Sequence, residues 1–267
     1  MIESYQRTQS GSFRLFCFHF AGGSAGVFSD WHHDLPGDID VCPVQLPGRG
    51  LRFKEKPFSD LDRLTDQLIE EMGPLPEETA YAFFGYSMGA LIAYEIARKF
   101  SAAGRPGPRH LFVGAQKAPI VPSFPPYWHQ MDKEEIVSRL RQLGGTPENV
   151  LSTPGLVDIF LESLKADFSI VETYAYRPSL PLRTPITAYC GKSDWLSTPA
   201  KMLPWGEMTD AGFRLEMMPG GHFFIQSHRA ELLARLSAQL RPDSDMDPAM
   251  GTLAPSHIGI AKEGKSE

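Results

Sequence analysis

Cysteines are few in this sequence, and long apolar runs are absent. The three cysteines, Cys17, Cys42 and Cys190, cannot form a disulfide framework, and none of them has the paired spacing of a metal site. No apolar stretch approaches the roughly 20 residues that a membrane-spanning helix needs. The N-terminal residues also lack the apolar segment of a signal peptide. We therefore expect a soluble, cytoplasmic protein that does not bind membranes.

Positive charge is also scarce. The 267 residues include 26 Lys and Arg against 32 Asp and Glu, which gives a formal net charge of -6. Proteins that bind nucleic acid through its phosphates need a basic surface, so we do not expect this class of partner. Residues 242–267 hold five acidic and two basic residues and have no periodic apolar pattern. This composition predicts a disordered acidic tail after a single domain that spans residues 1–241.

Short apolar runs alternate with helical patterns between residue 14 and about residue 240. Runs rich in Phe, Val, Ile and Tyr predict strands at 14–20, 39–46, 81–86, 110–115, 186–191 and 213–218. Helical patterns lie between them at 60–72, 88–103, 196–203 and 224–240, the first with Ser59 as its expected N-cap. Near-continuous apolar strands separated by helices indicate a mostly parallel sheet with helices on both faces. The expected fold class is therefore α/β.

A long insertion interrupts this alternation between the fourth and fifth strands. A proline-rich segment opens the insertion, and amphipathic helices follow at roughly 133–143 and 156–174. The apolar face expected for the second helix consists of Leu156, Ile159, Phe160, Leu164 and Phe168. An insertion after the C-terminal end of a strand lies where a lid would cover an active site, so we expect residues 117–178 to form one. A subdomain with no part in catalysis is the alternative.

The pentapeptide Gly85-Tyr86-Ser87-Met88-Gly89 joins the third predicted strand to a helix. The pattern G-x-S-x-G in a strand–turn–helix setting is typical of a nucleophile elbow, a tight turn that exposes the serine. The glycines remove side chains that would collide with the neighbouring strand and helix. Ser87 is therefore the expected nucleophile, and an incidental serine in a tight turn is the alternative.

A nucleophilic serine needs a general base, which an acidic side chain holds in place. In folds with this elbow the chain order is serine, acid, histidine. Asp194 follows the fifth strand and His222 follows the last one, so both would reach the sheet edge at which Ser87 lies. Asp167 and Asp210 are rival acids, although we expect Asp167 to line or cap the lid and Asp210 to lie in a turn.

Acyl transfer also needs backbone N–H groups that stabilise an oxyanion. The residue after the nucleophile supplies one of them, here Met88. The loop after the first strand is the expected source of the other, since Ala21, Gly22 and Gly23 allow the backbone to turn its amides toward Ser87. These glycines do not fit the G-x-G-x-x-G pattern of a dinucleotide site.

These motifs together resemble the stand-alone (type II) thioesterases that serve polyketide and nonribosomal peptide synthetases. The resemblance runs from about residue 14 to about residue 240. Its motifs are F-x-F-A-G-G-S at 18–24, Q-L-P-G-R at 45–49, G-Y-S-M-G-A at 85–90, K-A-D-F-S-I-V-E-T-Y at 165–174, G-K-S-D at 191–194 and P-G-G-H-F-F at 219–224. It implies an α/β-hydrolase fold with a helical lid. It also implies Ser87, Asp194 and His222 as nucleophile, acid and base, with oxyanion donors at Ala21 and Met88.

The resemblance further implies a substrate class. Its members hydrolyse acyl or aminoacyl thioesters on the phosphopantetheine arm of carrier proteins and so unblock an assembly line. A carrier protein is then the expected partner, and we expect a monomer that uses no metal and no organic cofactor. The sequence departs from the family at His19, where proline is common, at Tyr86, where histidine is usual, and at Gly50, where an acidic residue is common. The first two departures lie beside the site and put the acyl-chain preference in doubt.

Apolar residues of the insertion are candidates for the wall of an acyl chamber, with core packing as the alternative for each. The candidate substrate-binding residues are Tyr86, Phe124, Trp128, Phe160 and Phe168. Two other functions use the same fold. One is a general esterase that acts on small oxyesters, and the other is a carrier-binding protein without catalytic activity.

Overall fold

The computed structural model describes residues 13–75 and 80–240, so the expected acidic tail at 242–267 lies outside the described residues. Within these ranges six strands form one sheet in the order β2-β1-β3-β4-β5-β6, and every neighbouring pair is parallel. The strands are β1 Phe13–Phe18, β2 Ile39–Val44, β3 Tyr81–Tyr86, β4 Leu111–Gly114, β5 Ile186–Gly191 and β6 Phe213–Met218. The predicted α/β class with a parallel sheet is confirmed.

Helices connect these strands. The α-helices of the described residues are α1 Trp31–Asp34, α2 Leu61–Met72, α3 Met88–Ala102, α4 Lys133–Leu143, α5 Glu148–Ser152, α6 Leu156–Glu172, α7 Pro199–Met202, α8 Phe224–Ser227 and α9 Arg229–Leu240. Short 3-10 turns lie at Ala25–Phe28, Gly50–Arg52, Trp128–Gln130 and Leu203–Met208. None of the helices in the described ranges has both the length and the apolar character that crossing a bilayer requires.

Two apolar layers hold the sheet, one on each face. Phe83 and Phe84 are neighbours in β3 and point to opposite faces, and both are fully buried. Phe83 lies in the layer that contains Leu64 of α2, whereas Phe84 lies with Trp31 of α1 and Leu236 of α9. Burial of one such phenylalanine side chain stabilises the fold by about 1.5–3 kcal/mol. Because both faces are covered, the central strands β3 and β4 are continuous runs without a charged residue.

Several helix ends differ from the predicted ones. The predicted N-cap at Ser59 is wrong, since the Asp60 carboxylate caps α2 by accepting a hydrogen bond from the Arg63 N–H at 2.8 Å. The predicted helix at 224–240 is divided at His228 into α8 and α9. In place of the predicted helix at 196–203, the chain forms α7 and then a 3-10 turn. The short helix α5 had no counterpart among the predicted elements.

The insertion between β4 and β5 has an apolar cluster of its own. Helices α4, α5 and α6 pack together through buried side chains that include Ile136, Leu151 and Leu161. The predicted apolar face of α6 was wrong at two positions, because the side chains of Leu156 and Ile159 are 44% and 66% exposed. The face that is buried is rotated toward Leu161 and its neighbours, since α6 packs against α4 and α5 on that side.

Candidate active site

Ser87 lies at the tight turn between β3 and α3. Its backbone has φ +51° and ψ -120°, a conformation that residues with a Cβ rarely adopt. Such a conformation costs on the order of 1–3 kcal/mol and persists only where the surroundings impose it. Here the Ser87 N–H donates to the Gly114 carbonyl at the end of β4 at 2.7 Å, which holds the turn against the sheet. The turn therefore presents the Ser87 side chain at the C-terminal edge of the sheet.

The glycines on both sides of Ser87 permit close backbone contacts. A Cβ at Gly85 would lie 2.3 Å from the carbonyl oxygen of Gly89. A Cβ at Gly89 would lie 2.1 Å from the carbonyl oxygen of Phe18, at the end of β1. Both distances are far shorter than any real contact of a Cβ atom, so each position requires glycine. The close packing of α3 on β1 and β3 depends on this pair of residues.

His222 and Asp194 meet Ser87 at the same edge of the sheet. Asp194 follows β5 and His222 follows β6, and parallel strands bring their C-terminal ends together. The His222 Nε2 atom lies 3.3 Å from the Ser87 Oγ, and its Nδ1 lies 2.9 Å from Asp194 Oδ2. The structure thus brings together the three side chains that the chain order predicted as a catalytic set.

The Asp194 carboxylate is held in its ionised form. Burial alone would raise the pKa of this carboxyl group, but hydrogen bonds from His222 and from the backbone N–H groups of Ser197 and Leu196 outweigh that effect. The pKa therefore lies below its ordinary value. An ionised Asp194 keeps the proton of the imidazole on Nδ1, which leaves Nε2 free to accept the proton of Ser87.

The rival acids lie elsewhere. Asp210 is exposed, and its N–H donates to the carbonyl of Leu182, next to a parallel bridge between Leu182 and Thr209. Asp167 is buried on α6, where its carboxylate accepts two hydrogen bonds from the Arg49 guanidinium, the Nη2 bond at 2.8 Å. The same carboxylate accepts the Gly22 N–H at 2.8 Å. Asp167 therefore joins helix α6 to the loop after β1, and Asp194 is the acid that contacts His222.

The loop after β1 contains the candidate oxyanion donors. The Gly23 N–H donates to the Phe20 carbonyl at 2.9 Å, and the Gly22 N–H donates to Asp167. Two of the three candidate N–H groups in this loop are therefore already used, and Ala21 is the remaining candidate for an oxyanion donor. The Met88 N–H lies in the first turn of α3, where backbone amides have no partner within the helix. The positive end of the helix dipole is also directed to this position.

The buried His19 side chain forms a hydrogen bond with the backbone of this loop. Its ring Nδ1 lies 2.8 Å from the Phe20 carbonyl, which makes Nδ1 the protonated nitrogen. Burial, with a smaller contribution from nearby Arg49, lowers the pKa of His19 to about 3. The imidazole is therefore neutral at physiological pH. Together with the Gly23 N–H, it gives the Phe20 carbonyl two hydrogen-bond donors.

Tyr86 contacts the histidine loop rather than an open pocket. Its hydroxyl donates to the His222 carbonyl at 2.6 Å and accepts from the Ile225 N–H at 3.3 Å. Burial raises the pKa of the phenol well above its ordinary value, so the group stays a neutral donor. The expected role of Tyr86 as a substrate-binding residue is not supported, because its side chain is fully buried. Its position directly before Ser87 was the one sequence signal of this contact.

Of the apolar candidates in the insertion, Phe124 is exposed, whereas Trp128, Phe160 and Phe168 pack against other residues. Phe124 is 74% exposed, so its side chain points to solvent and it is not a wall residue in this structure. Trp128 packs against Phe168 with ring centroids 5.0 Å apart. Phe160 lies beside the loop after β1, since a Cβ at Gly22 would be 3.0 Å from its ring.

Among the described residues, no group of three or more His, Cys, Asp or Glu side chains is arranged to hold a metal ion.

Comparisons with known proteins agree with this geometry. A family model described as a thioesterase domain matches residues 13–240. The chain is 40% identical over 228 residues to the gramicidin S biosynthesis protein GrsT of Aneurinibacillus migulanus, which covers 85% of this chain and 89% of the relative. The solved structure of RedJ, a thioesterase from the prodiginine biosynthetic pathway of Streptomyces coelicolor, superposes with a TM-score of 0.81. The two sequences are 36% identical, and the match covers 86% of this chain and 91% of the RedJ chain. The type II thioesterase BorB from the borrelidin biosynthetic cluster gives a TM-score of 0.82 at 37% identity. The match covers 90% of this chain and 97% of the BorB chain.

Proposed function

This chain belongs to the thioesterase family, and we propose that it hydrolyses acyl or aminoacyl thioesters on the phosphopantetheine arm of carrier proteins. The names of its relatives support this substrate class. GrsT is named for gramicidin S biosynthesis, and BorB is a type II thioesterase of the borrelidin cluster. The chain covers most of the length of both relatives. In our proposal the enzyme removes stray acyl groups from blocked carriers, so that an assembly line resumes.

The proposed chemistry begins with Ser87. His222 Nε2 accepts the Ser87 proton while Oγ attacks the thioester carbonyl carbon and forms a tetrahedral intermediate. The C–S bond then breaks, and the pantetheine sulfur takes the proton from His222. A water molecule next gives a proton to Nε2 and attacks the acyl ester, and the returning proton releases Ser87 and the free acid. Asp194 holds the imidazole in one tautomer throughout.

Backbone donors would stabilise the oxyanion of both tetrahedral intermediates. We assign this role to the N–H groups of Ala21 and Met88. The support is that Gly22 and Gly23 donate to other acceptors and that Met88 lies at the positive end of α3. Loss of one such donor typically costs about 10²–10³-fold in kcat.

The insertion supplies the proposed lid. We assign residues 117–178 to a lid that covers the acyl group, with Trp128, Phe160 and Phe168 along its wall. The contact of Phe160 with the loop of the proposed oxyanion donors supports this assignment. A closed apolar chamber would exclude bulk water from the acyl-enzyme until the leaving thiol departs.

The observation that carries the proposed function is the continuous relay from Asp194 through His222 to Ser87 in a chain of this family. The test is the intact mass of a phosphopantetheinylated carrier that is loaded with short acyl groups, with and without the enzyme. We expect the wild-type enzyme to remove the acyl mass and the Ser87→Ala variant to lose about 10³-fold or more of this rate.

Two outcomes would contradict the proposal. Full turnover by Ser87→Ala would show that Ser87 is not the nucleophile. Unchanged carrier mass, with hydrolysis of simple oxyesters of equal chain length, would show that carrier-bound thioesters are not the substrate.

A further inference from the structure

Phe223 follows His222 in the loop after β6, and its side chain is partly buried. The centroid of its ring lies 5.3 Å from that of the imidazole, and the two ring planes are nearly perpendicular, at 89°. The ring of Tyr86 is a second aromatic neighbour, with its centroid 6.3 Å from the imidazole. The His222 side chain is therefore held by ring packing in addition to its hydrogen bonds with Asp194 and Ser87.

The insertion between β4 and β5 contacts the same phenylalanine. Gly145 lies in the loop between α4 and α5, and its backbone packs directly on the Phe223 ring, since a Cβ at Gly145 would lie 2.5–2.6 Å from three ring atoms. Phe20, in the loop after β1, packs against the ring as well, with centroids 5.1 Å apart. Phe223 thus joins the insertion, the loop of the proposed oxyanion donors and the imidazole of His222.

The loop at Gly145 has a backbone conformation that favours glycine. Gly144 has φ +76° and Gly145 has φ +83°, in the region that side chains with a Cβ rarely adopt. The Gly144 N–H donates to the Leu140 carbonyl at 2.9 Å. An exposed ion pair between Arg141 and Glu148, at 2.7 Å, joins the last turn of α4 to the start of α5. These contacts define the turn that brings the Gly145 backbone to the Phe223 ring.

The packing around His222 matters because the contact with Ser87 is a long one. The distance from Nε2 to the Ser87 Oγ is 3.3 Å, beyond the usual range of about 2.7–3.2 Å. Asp194 holds the imidazole only at Nδ1, so the ring can still tilt about that hydrogen bond. Contacts with the neighbouring rings limit the tilt. Misplacement of a reacting group by about 1 Å can cost about 10²-fold in rate.

We propose that Phe223 is a positioning residue for His222, and that the insertion holds Phe223 in place through Gly145. The inference rests on the proposed function, in which His222 is the general base. The Phe223 ring transmits the packing of the insertion to the imidazole. The insertion therefore contributes to proton transfer at Ser87 as well as to the proposed acyl chamber.

Two substitutions test the contact from its two sides. Phe223→Ala removes the ring, and Gly145→Ala places a Cβ against it. The control for the first is Phe13→Ala, which removes a partly buried ring of the same apolar layer at the N-terminal end of β1. The control for the second is Gly104→Ala, because Gly104 also has a positive φ, +66°, but no heavy atom lies within 4 Å of the added Cβ.

The readouts are kcat and KM for a short acyl-pantetheine, the rate at which a small organophosphate labels Ser87, and urea unfolding. The labelling reaction needs the same serine and histidine but no acyl chain, so it reports the position of His222 separately from the acyl chamber. Urea unfolding shows whether a lower rate only follows a loss of stability.

We expect Phe223→Ala and Gly145→Ala to lower kcat and the labelling rate about ten-fold or more, with little change in KM. Phe13→Ala and Gly104→Ala should lose stability and keep both rates. The double variant Phe223→Ala/Gly145→Ala should be no slower than Phe223→Ala, because the added Cβ then meets no ring.

Wild-type kcat and labelling in Phe223→Ala would overturn the positioning role. An equal loss of kcat in Phe223→Ala and Phe13→Ala would overturn it too, because the effect would then come from stability alone. If the two single effects of Phe223→Ala and Gly145→Ala added fully in the double variant, the insertion would not act through this ring. Absence of both labelling and turnover in the wild-type enzyme would instead overturn the proposed function.

Discussion

The carboxylate of Asp167 accepts a hydrogen bond from the Gly22 N–H, although 145 residues separate the two in the chain. Asp167 lies in α6 of the insertion, whereas Gly22 lies beside Ala21, the proposed oxyanion donor. The Arg49 guanidinium binds both oxygens of the same carboxylate, including the Oδ2 atom that accepts the Gly22 N–H. Helix α6 thus holds the loop after β1 in place through a single buried acid. This contact connects the proposed lid with the reacting groups.

We expect Asp167→Asn to lower both stability and activity. The amide leaves the buried Arg49 guanidinium without a counter-charge, and breaking a buried pair in this way costs about 3–5 kcal/mol. Because the Gly22 bond also weakens, kcat should fall about ten-fold. Urea unfolding and turnover of an acyl-pantetheine measure the two effects.

The double variant Arg49→Met/Asp167→Leu separates these effects. Removal of both charges should recover most of the stability. The kcat should remain low, because leucine cannot accept the Gly22 N–H. If the double variant regained wild-type kcat, the hydrogen bond would have no role in positioning the loop.

We expect Tyr86→Phe to reduce kcat about ten-fold with little change in KM. The substitution leaves the His222 carbonyl without its donor, which costs about 1–3 kcal/mol and loosens the histidine relative to Ser87. Tyr81→Phe is the control, since it removes a comparable hydrogen bond to the Pro106 carbonyl at the other end of β3. The control should lose stability and retain kcat. Equal kcat values in the two variants would contradict the positioning role of Tyr86.

We expect Ser87→Gly to be more stable than Ser87→Ala by about 1 kcal/mol. Both variants lack the nucleophile, but only glycine adopts φ +51° without a steric cost. Thermal or urea unfolding of the two inactive variants measures the difference. Equal stability would mean that the turn relaxes when the hydroxyl is removed, and that the serine backbone is not strained.

We expect His19 to make stability depend on pH. The pKa of about 3 in the folded protein is below the ordinary value of about 6.5, so the unfolded chain binds a proton that the folded chain does not. Stability should therefore fall as pH decreases from about 6.5 toward 3, by up to about 1.4 kcal/mol for each pH unit. His19→Asn should remove this contribution.

Urea unfolding between pH 7 and pH 4 checks the prediction for His19. The His110→Asn variant is a useful comparison, because burial lowers the pKa of His110 to about 4 and its contribution has the same sign. The two effects should add in the double variant. If the single variant His19→Asn kept the wild-type pH dependence, the buried imidazole would be protonated on acidification without unfolding.

Much of the architecture was predictable because its signals are local. The bounds predicted for β3, β5 and β6 agree with the structure, since runs rich in apolar and aromatic residues with Gly or Pro near their ends are typical of strands. The position of Ser87 followed from the G-x-S-x-G pattern between a strand and a helix, and those of Asp194 and His222 followed from strand ends and chain order. Helix ends were less predictable. Asp60 and Ser59 are both good N-caps, and only the geometry of the turn decides between them.

The sequence by itself determined the α/β class, the parallel sheet, the turn at Ser87 and the family of the enzyme. Each of these depends on patterns within a few residues or on short motifs in a fixed order. Only the tertiary structure decided that Arg49 and Gly22 meet at Asp167, that Tyr86 holds the His222 loop and that Ile159 faces solvent beside Phe53. These contacts join segments that are far apart in the chain. No local pattern encodes them, because they arise from how α6 and the strand-end loops pack together.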